Sequence, residues 1–130
     1  MKEKVREFLR NWQVTFLWML VIFFLSSIPG SDIPKVQIPH ADKVFHFFEY
    51  FVLGLLMVRS FFYSQSGIGL IKPSVFSAGL VFLLAFSDEW HQTFIPGRFC
   101  EWGDITVDLI AAAIGIGAFI IVKARRKKVP

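Results

Sequence analysis

Asp88, Glu89, His91, Gln92 and Arg98 crowd the end of a long apolar run, with Ser87 beside them. Carboxylates next to imidazole can move protons or hold a divalent ion, and a guanidinium can grip phosphate or carboxylate. Two further groups carry the same chemistry: Asp42, Lys43, His46, Glu49 and Tyr50, and then Asp104 and Asp108. Asp42, His46 and Glu49 are spaced four and three apart, Asp88 and Gln92 four apart, and Asp104 and Asp108 four apart. On helices, each set shares one face.

The elements that carry these residues are apolar enough to lie in a membrane. The chain has 130 residues, enough for one domain spanning 1–130, and 55% of them are hydrophobic, including 16 Phe and 4 Trp. That exceeds the usual share for a soluble domain, and the charges are segregated. Four spans are predicted, at residues 12–28, 44–63, 74–94 and 105–122. At ~1.5 Å per residue each can cross, or nearly cross, a ~30 Å hydrocarbon layer. A charged lead, Met1 to Arg10, is expected on the inner membrane surface. A cleaved signal peptide is disfavoured because Leu25 and Ile28 stand where small residues would be needed. Pro29, Gly30, Pro34 and Pro39 predict an extended loop between the first two spans, and Ser64 to Pro73 a turn between the next two. Pro96 and Gly97 end the third span, while Asp42 and Asp104 suit the N-caps of the second and fourth. The fold class is therefore all-α, a polytopic membrane protein.

Charge sets the expected orientation. The net charge is +4, but Lys2, Lys4, Arg6, Arg10, Lys123, Arg125, Arg126, Lys127 and Lys128 form two terminal runs flanking apolar segments, a topology signal and not a nucleic-acid patch. Four spans put both termini on one side. With Arg59 and Lys72, that side holds eleven cations against two acids, so both termini are expected in the cytoplasm. The other side holds Lys35, Lys43 and Arg98 against eight acids. The polar start of span two, end of span three and start of span four then fall together at the outer face. Lipid exposure of such groups is unfavourable, so they are expected to surround a pocket open to the outside.

Several chemistries fit that pocket. His46 reads as a hydrogen-bonding partner of a neighbouring helix, a general base or a metal ligand. Asp88 and Glu89 read as solvated ends of a helix, or as working acids, since a helix C-terminus disfavours negative charge. Lys43, Arg98 or a divalent metal would offset the six acids Asp42, Glu49, Asp88, Glu89, Asp104 and Asp108. No fixed spacing identifies a metal, and Mg²⁺, Mn²⁺, Ca²⁺ and Zn²⁺ all suit the donor types. Ser87 lacks the G-x-S-x-G context of a nucleophile. Trp90, Phe94, Phe99 and Trp102 read as an interfacial aromatic belt. The lone Cys100 excludes an internal disulfide.

These residues resemble the VanZ-like membrane proteins. A D-K-x-x-H-x-x-x-Y segment is matched by Asp42, Lys43, His46 and Tyr50, and S-D-E-x-x-Q with a following P-G-R by Ser87, Asp88, Glu89, Gln92, Pro96, Gly97 and Arg98. In the closing motif Asp104 and Gly115 match, Asp108 replaces an asparagine, and Ala111 replaces a glycine. The resemblance covers roughly residues 20 to 122. It implies a bacterial cytoplasmic membrane, an envelope role and an association with resistance to teicoplanin and related lipoglycopeptides, but supplies no reaction.

Three functions are open at this point. In the first, the pocket recognises an amphiphilic envelope molecule, a lipid-linked cell-wall intermediate or a lipoglycopeptide, with Lys43 and Arg98 on its anionic groups. The second is a hydrolase or transferase acting on a lipid head group, with His46 as base and Asp88, Glu89 and Asp104 as ligands or acid/base partners. The third is a small membrane scaffold that uses the small-residue face of span four, Gly115 and Gly117 included.

Overall fold

The computed structural model describes residues 2–33, 40–65 and 67–126, and the part of the expected extended loop at Pro34 and Pro39 lies outside them, as do Lys35, Lys127 and Lys128. Among the described residues there are four α-helices: α1 (Lys2–Ser26), α2 (Ala41–Ser64), α3 (Ile71–Gln92) and α4 (Trp102–Arg126). A short 3₁₀ turn, Gly30–Asp32, follows α1. All four helices are long and apolar enough to cross a membrane. Their outward faces carry exposed large apolar residues, among them Phe24, Phe45, Leu83 and Ile110.

The helices outrun the spans expected from hydropathy. The charged lead forms the opening turns of α1, which continues unbroken into the apolar stretch. Likewise α3 starts at Ile71, with Lys72 and Pro73 in its first turn. Proline is tolerated there because a first-turn N–H has no intrahelical acceptor to lose. Asp42 and Asp104 do not cap their helices. Each lies inside a first turn, and α2 is preceded by His40 in a left-handed conformation, φ 59°, with no side-chain cap bond. An acid in the first turn still complements the positive end of the helix dipole.

Packing fixes the directions. Asn11 of α1 donates to the carbonyl of Tyr63 near the end of α2, whereas Ser27, just past α1, meets His91 near the end of α3. Lys43 and His46 of α2 pair with Asp104 and Asp108 of α4, and Phe62 meets Phe119 two helical thirds further along. The bundle therefore runs up, down, up, down, with α2 parallel to α4. The ends of α1 and α3 and the starts of α2 and α4 gather at one pole, and both ends of the described chain lie at the other.

Helix α2 is central and touches the other three. It meets α4 at backbone distance: a Cβ on Gly54 would strike the Ala112 backbone, and one on Gly115 the Phe51 carbonyl. Small residues at helix contacts permit that approach in a membrane, where apolar burial offers little drive for association. The α1–α2 seam is polar instead, with Thr15 Oγ1 and Ser60 Oγ 2.7 Å apart, Trp12 Nε1 donating to Ser64 Oγ at 2.8 Å, and Trp18 Nε1 to the Glu49 carbonyl at 2.9 Å. Tyr50, Leu53, Met57, Val81, Ala85 and Ala111 form the buried core between these seams.

Candidate functional site

At the polar pole the ionisable residues separate into two layers and a clasp. The outer layer is built around Lys43, whose ammonium lies 2.6 Å from Asp104 Oδ1, 3.1 Å from Glu101 Oε2 and 3.6 Å from Asp42 Oδ2. This joins the first turn of α2 to the first turn of α4 and to the residue just before it. Asp104 is buried, while Asp42 and Glu101 are exposed. Lys43 is thus occupied by three acids and is not held out to a ligand.

The inner layer lies one turn deeper. His46 Nδ1 is 3.1 Å from Asp108 Oδ1, joining α2 to α4. Glu89 of α3 faces the same space, its Oε2 accepting the Glu101 backbone N–H at 2.8 Å. His46 is 6% exposed, and Glu89 and Asp108 are each 0% exposed. One donor atom from each of the three lies within 4.8 Å of the others. Glu89 Oε1 and Asp108 Oδ2 are buried without any hydrogen-bond partner among the described residues. Each such orphan costs about 1–3 kcal/mol, and more if the group is charged. Glu49, half-buried, and Tyr50, buried, continue the α2 face below His46.

The clasp is formed by the motif that follows α3. Arg98 was expected to face the acids and hold an anion; instead its Nε donates to the Ile28 carbonyl and its Nη2 to the Leu25 carbonyl, both at 3.2 Å. It therefore adds side-chain donors to two carbonyls at the end of α1, of which that of Leu25 also accepts the Ile28 N–H at 3.3 Å. Gly97 turns the chain at φ +75°, a conformation that favours glycine. The Gly30 N–H donates to the Pro96 carbonyl at 2.9 Å, and a Cβ on Gly30 would strike Gly97. His91 completes the clasp, with Nε2 3.0 Å from Ser27 Oγ and its ring stacked on Phe23 at 5.0 Å.

The remaining candidates lie at the edge of an apolar cavity of about 690 Å³ between α1, α2 and α3. Phe16, Leu20, Phe23, Leu53 and Leu84 line its length, and Tyr50, Ser87, Asp88 and His91 form its polar wall. Asp88 Oδ2 accepts from Gln92 Nε2 at 3.3 Å, and Ser87 Oγ donates to its own helix at the Leu83 carbonyl. That bond leaves Ser87 without a base to activate it. The other large concavity, about 570 Å³, follows one side of α1 from Lys2 to Gln13 at the opposite pole and holds no candidate residue.

The structure thus brings His46, Glu89 and Asp108 together, sets Asp42, Lys43 and Asp104 apart above them, and turns Asp88 towards the cavity. Trp90, Phe94, Phe99 and Trp102 are exposed around the same pole, as an aromatic belt would be. Glu101 is the functional residue that sequence reasoning passed over. Its position three before Asp104 was the available signal, since that spacing puts both acids on one side of a helix start.

The VanZ/LLP1 family model matches residues 11–123. The chain belongs to that family. It is a multi-pass membrane protein of the VanZ type, and the three motif segments on which the resemblance rests are those that supply the two layers and the clasp. No curated protein and no solved structure matches the chain.

Proposed function

We propose that this VanZ-family protein recognises an amphiphilic molecule of the bacterial envelope, taking its acyl or prenyl chain into the cavity between α1, α2 and α3. The observation that carries this reading is the form of the cavity: about 690 Å³, apolar along its length and polar on one wall at Tyr50, Ser87, Asp88 and His91. An apolar cavity with a few convergent polar groups is the usual shape of a small-molecule site. Because Lys43 and Arg98 are both engaged within the protein, the carboxylate on the cavity wall, Asp88, is left to accept from the ligand. Sugar hydroxyls and amines are the complementary head-group chemistry. Lipid-linked cell-wall intermediates and lipoglycopeptides both carry sugar beside a hydrocarbon chain, which connects the cavity with the teicoplanin tolerance implied by the family resemblance. The protein sits in the cytoplasmic membrane with its polar pole at the outer leaflet, as the distribution of Lys and Arg favours.

Expression of the wild-type chain in a teicoplanin-susceptible bacterium should raise the tolerated concentration. Asp88→Ala, which removes the carboxylate from the polar wall, and Leu84→Trp, which fills the cavity, should each abolish the gain at unchanged membrane abundance. Full tolerance in both variants would overturn the cavity as the working site.

A second reading, acid/base or metal-assisted hydrolysis or transfer at the head group, is favoured by the inner layer, where an imidazole meets two buried carboxylates with open oxygens. His46 would serve as base or ligand, and Glu89 with Asp108 as its partners. The scaffold reading keeps only Gly117 of its two glycines, because Gly115 is used inside the protein against α2 while Gly117 faces open space.

A further inference from the structure

We propose that His46, Glu89 and Asp108 bind one divalent transition-metal ion of the Zn²⁺ or Mn²⁺ class, inside the bundle and independently of any amphiphile. Two observations carry this beyond a cluster of acids. The first is convergence from three helices: α2 contributes an imidazole, α3 and α4 a carboxylate each, and one donor atom from each lies within 4.8 Å of the others. The second is the pair of open oxygens, since Glu89 Oε1 and Asp108 Oδ2 are fully buried and have no partner among the described residues. Buried polar atoms are nearly always paired, and of the three described exceptions two belong to this one cluster, the third being Ser26 Oγ at the end of α1.

The outer layer supplies an internal comparison. Asp42, Glu101 and Asp104 also offer donor atoms within 4.8 Å of one another, but there the Lys43 ammonium sits among them at 2.6 to 3.6 Å. The protein has filled that cluster with its own cation. Among the described residues, no Lys or Arg pairs with Glu89 or Asp108. A dication offsets two carboxylates where a neutral imidazole alone does not.

The donor set selects the class of ion. One imidazole with two carboxylates suits Zn²⁺ or Mn²⁺, whereas Ca²⁺ and Mg²⁺ favour all-oxygen shells. Ligands bound at 2.0–2.2 Å around a tetrahedral ion stand roughly 3.3 Å apart, and His46 Nδ1 and Asp108 Oδ1 are already separated by 3.1 Å. The Glu89 donor atom lies within 4.8 Å of both. The Glu101 N–H on Glu89 Oε2 then acts as the outer hydrogen bond that orients a ligand carboxylate. Three protein donors leave a coordination position for water or a ligand group, as in reactive metal sites.

The test uses the full chain purified in detergent, incubated separately with Zn²⁺, Mn²⁺ and, as a spectroscopic probe, Co²⁺, then desalted. Wild type should retain about one equivalent of Zn²⁺ or Mn²⁺ per chain, show the visible absorption of protein-bound Co²⁺, and gain several degrees in thermal midpoint through linkage. The near-isosteric variants Glu89→Gln and Asp108→Asn should lose the retained metal and the thermal gain. Asp42→Asn and Glu101→Gln, in the outer layer, should keep both. If Asp108→Asn fails to fold, Glu89→Gln decides the matter. No retained metal and no thermal shift in wild type would overturn the site, leaving the two carboxylates to share a proton. Equal retention by wild type and Glu89→Gln would overturn it too, as adventitious binding elsewhere.

Discussion

Lys43 and Arg98 have the same formal charge, lie at the same pole and invite the same reading as anion holders, yet the structure gives both to the protein itself. Arg98 is the more instructive of the two because its partners are main-chain carbonyls of Leu25 and Ile28, some seventy residues earlier in the chain. Side-chain spacing cannot announce such a partner, since every residue owns a carbonyl. Arg98→Ala is therefore expected to destabilise the purified protein by about 1–3 kcal/mol through loss of two charge-assisted hydrogen bonds. Arg98→Lys should recover only part of that, because a single ammonium cannot reproduce the fork of the guanidinium. Thermal unfolding in detergent reads the outcome. Unchanged stability with loss of the teicoplanin phenotype would restore Arg98 to the ligand and refute the clasp. By contrast, the inner layer was legible in part: the acid/base set read from sequence, His46, Asp88, Glu89 and Asp104, shares His46 and Glu89 with it, and Asp108 was read as a binding residue. The selection of Glu89 and Asp108 from among six acids was not legible, because depth and facing depend on how three helices rotate against one another.

At the scale of the helix, hydropathy located all four elements but understated their length. Its signal ends where charge begins, whereas backbone hydrogen bonding continues through Lys2 to Arg10 and through Lys123 to Arg126. The capping roles expected of Asp42 and Asp104 failed for the same reason: α2 starts one residue before its acid and α4 two before. Glycine positions were legible as a small-residue face on α4 but not by partner. Gly54, unremarked in sequence, contacts the Ala112 backbone, Gly115 contacts α2, and Gly117 faces open space. Gly54→Ala and Gly115→Ala are accordingly expected to cost about 1–3 kcal/mol or more, since a backbone atom cannot step aside as a side-chain tip can. Gly117→Ala should be neutral or slightly stabilising, because alanine is the better helix former. Midpoints of thermal unfolding for the three variants provide the comparison. A loss at Gly117 equal to that at Gly115 would mean that α4 has a further helical partner on its outer face and would return the scaffold reading to contention.

For the molecule as a whole, the up-down-up-down order places the cation-rich ends of α1 and α4 at one pole and the two acidic layers at the other. Lysine and arginine are retained on the cytoplasmic side of a bacterial membrane, and among the described residues the opposite pole has only Lys43 and Arg98. The acidic pole should therefore open to the cell exterior, where an envelope ligand could reach it. The chain carries its own reporter for this, because Cys100 is its sole cysteine and is exposed in the α3–α4 connection beside the clasp. In intact cells, a membrane-impermeant maleimide should label wild type at Cys100 without lysis. The paired control places the thiol at the other pole: Gly69→Cys in a Cys100→Ser background lies in the α2–α3 connection, where an added side chain meets open space. It should label only after the membrane is permeabilised. The reverse pattern would put the acidic pole in the cytoplasm. The amphiphile would then have to be taken from the inner leaflet, excluding an externally added lipoglycopeptide as the molecule that meets Asp88.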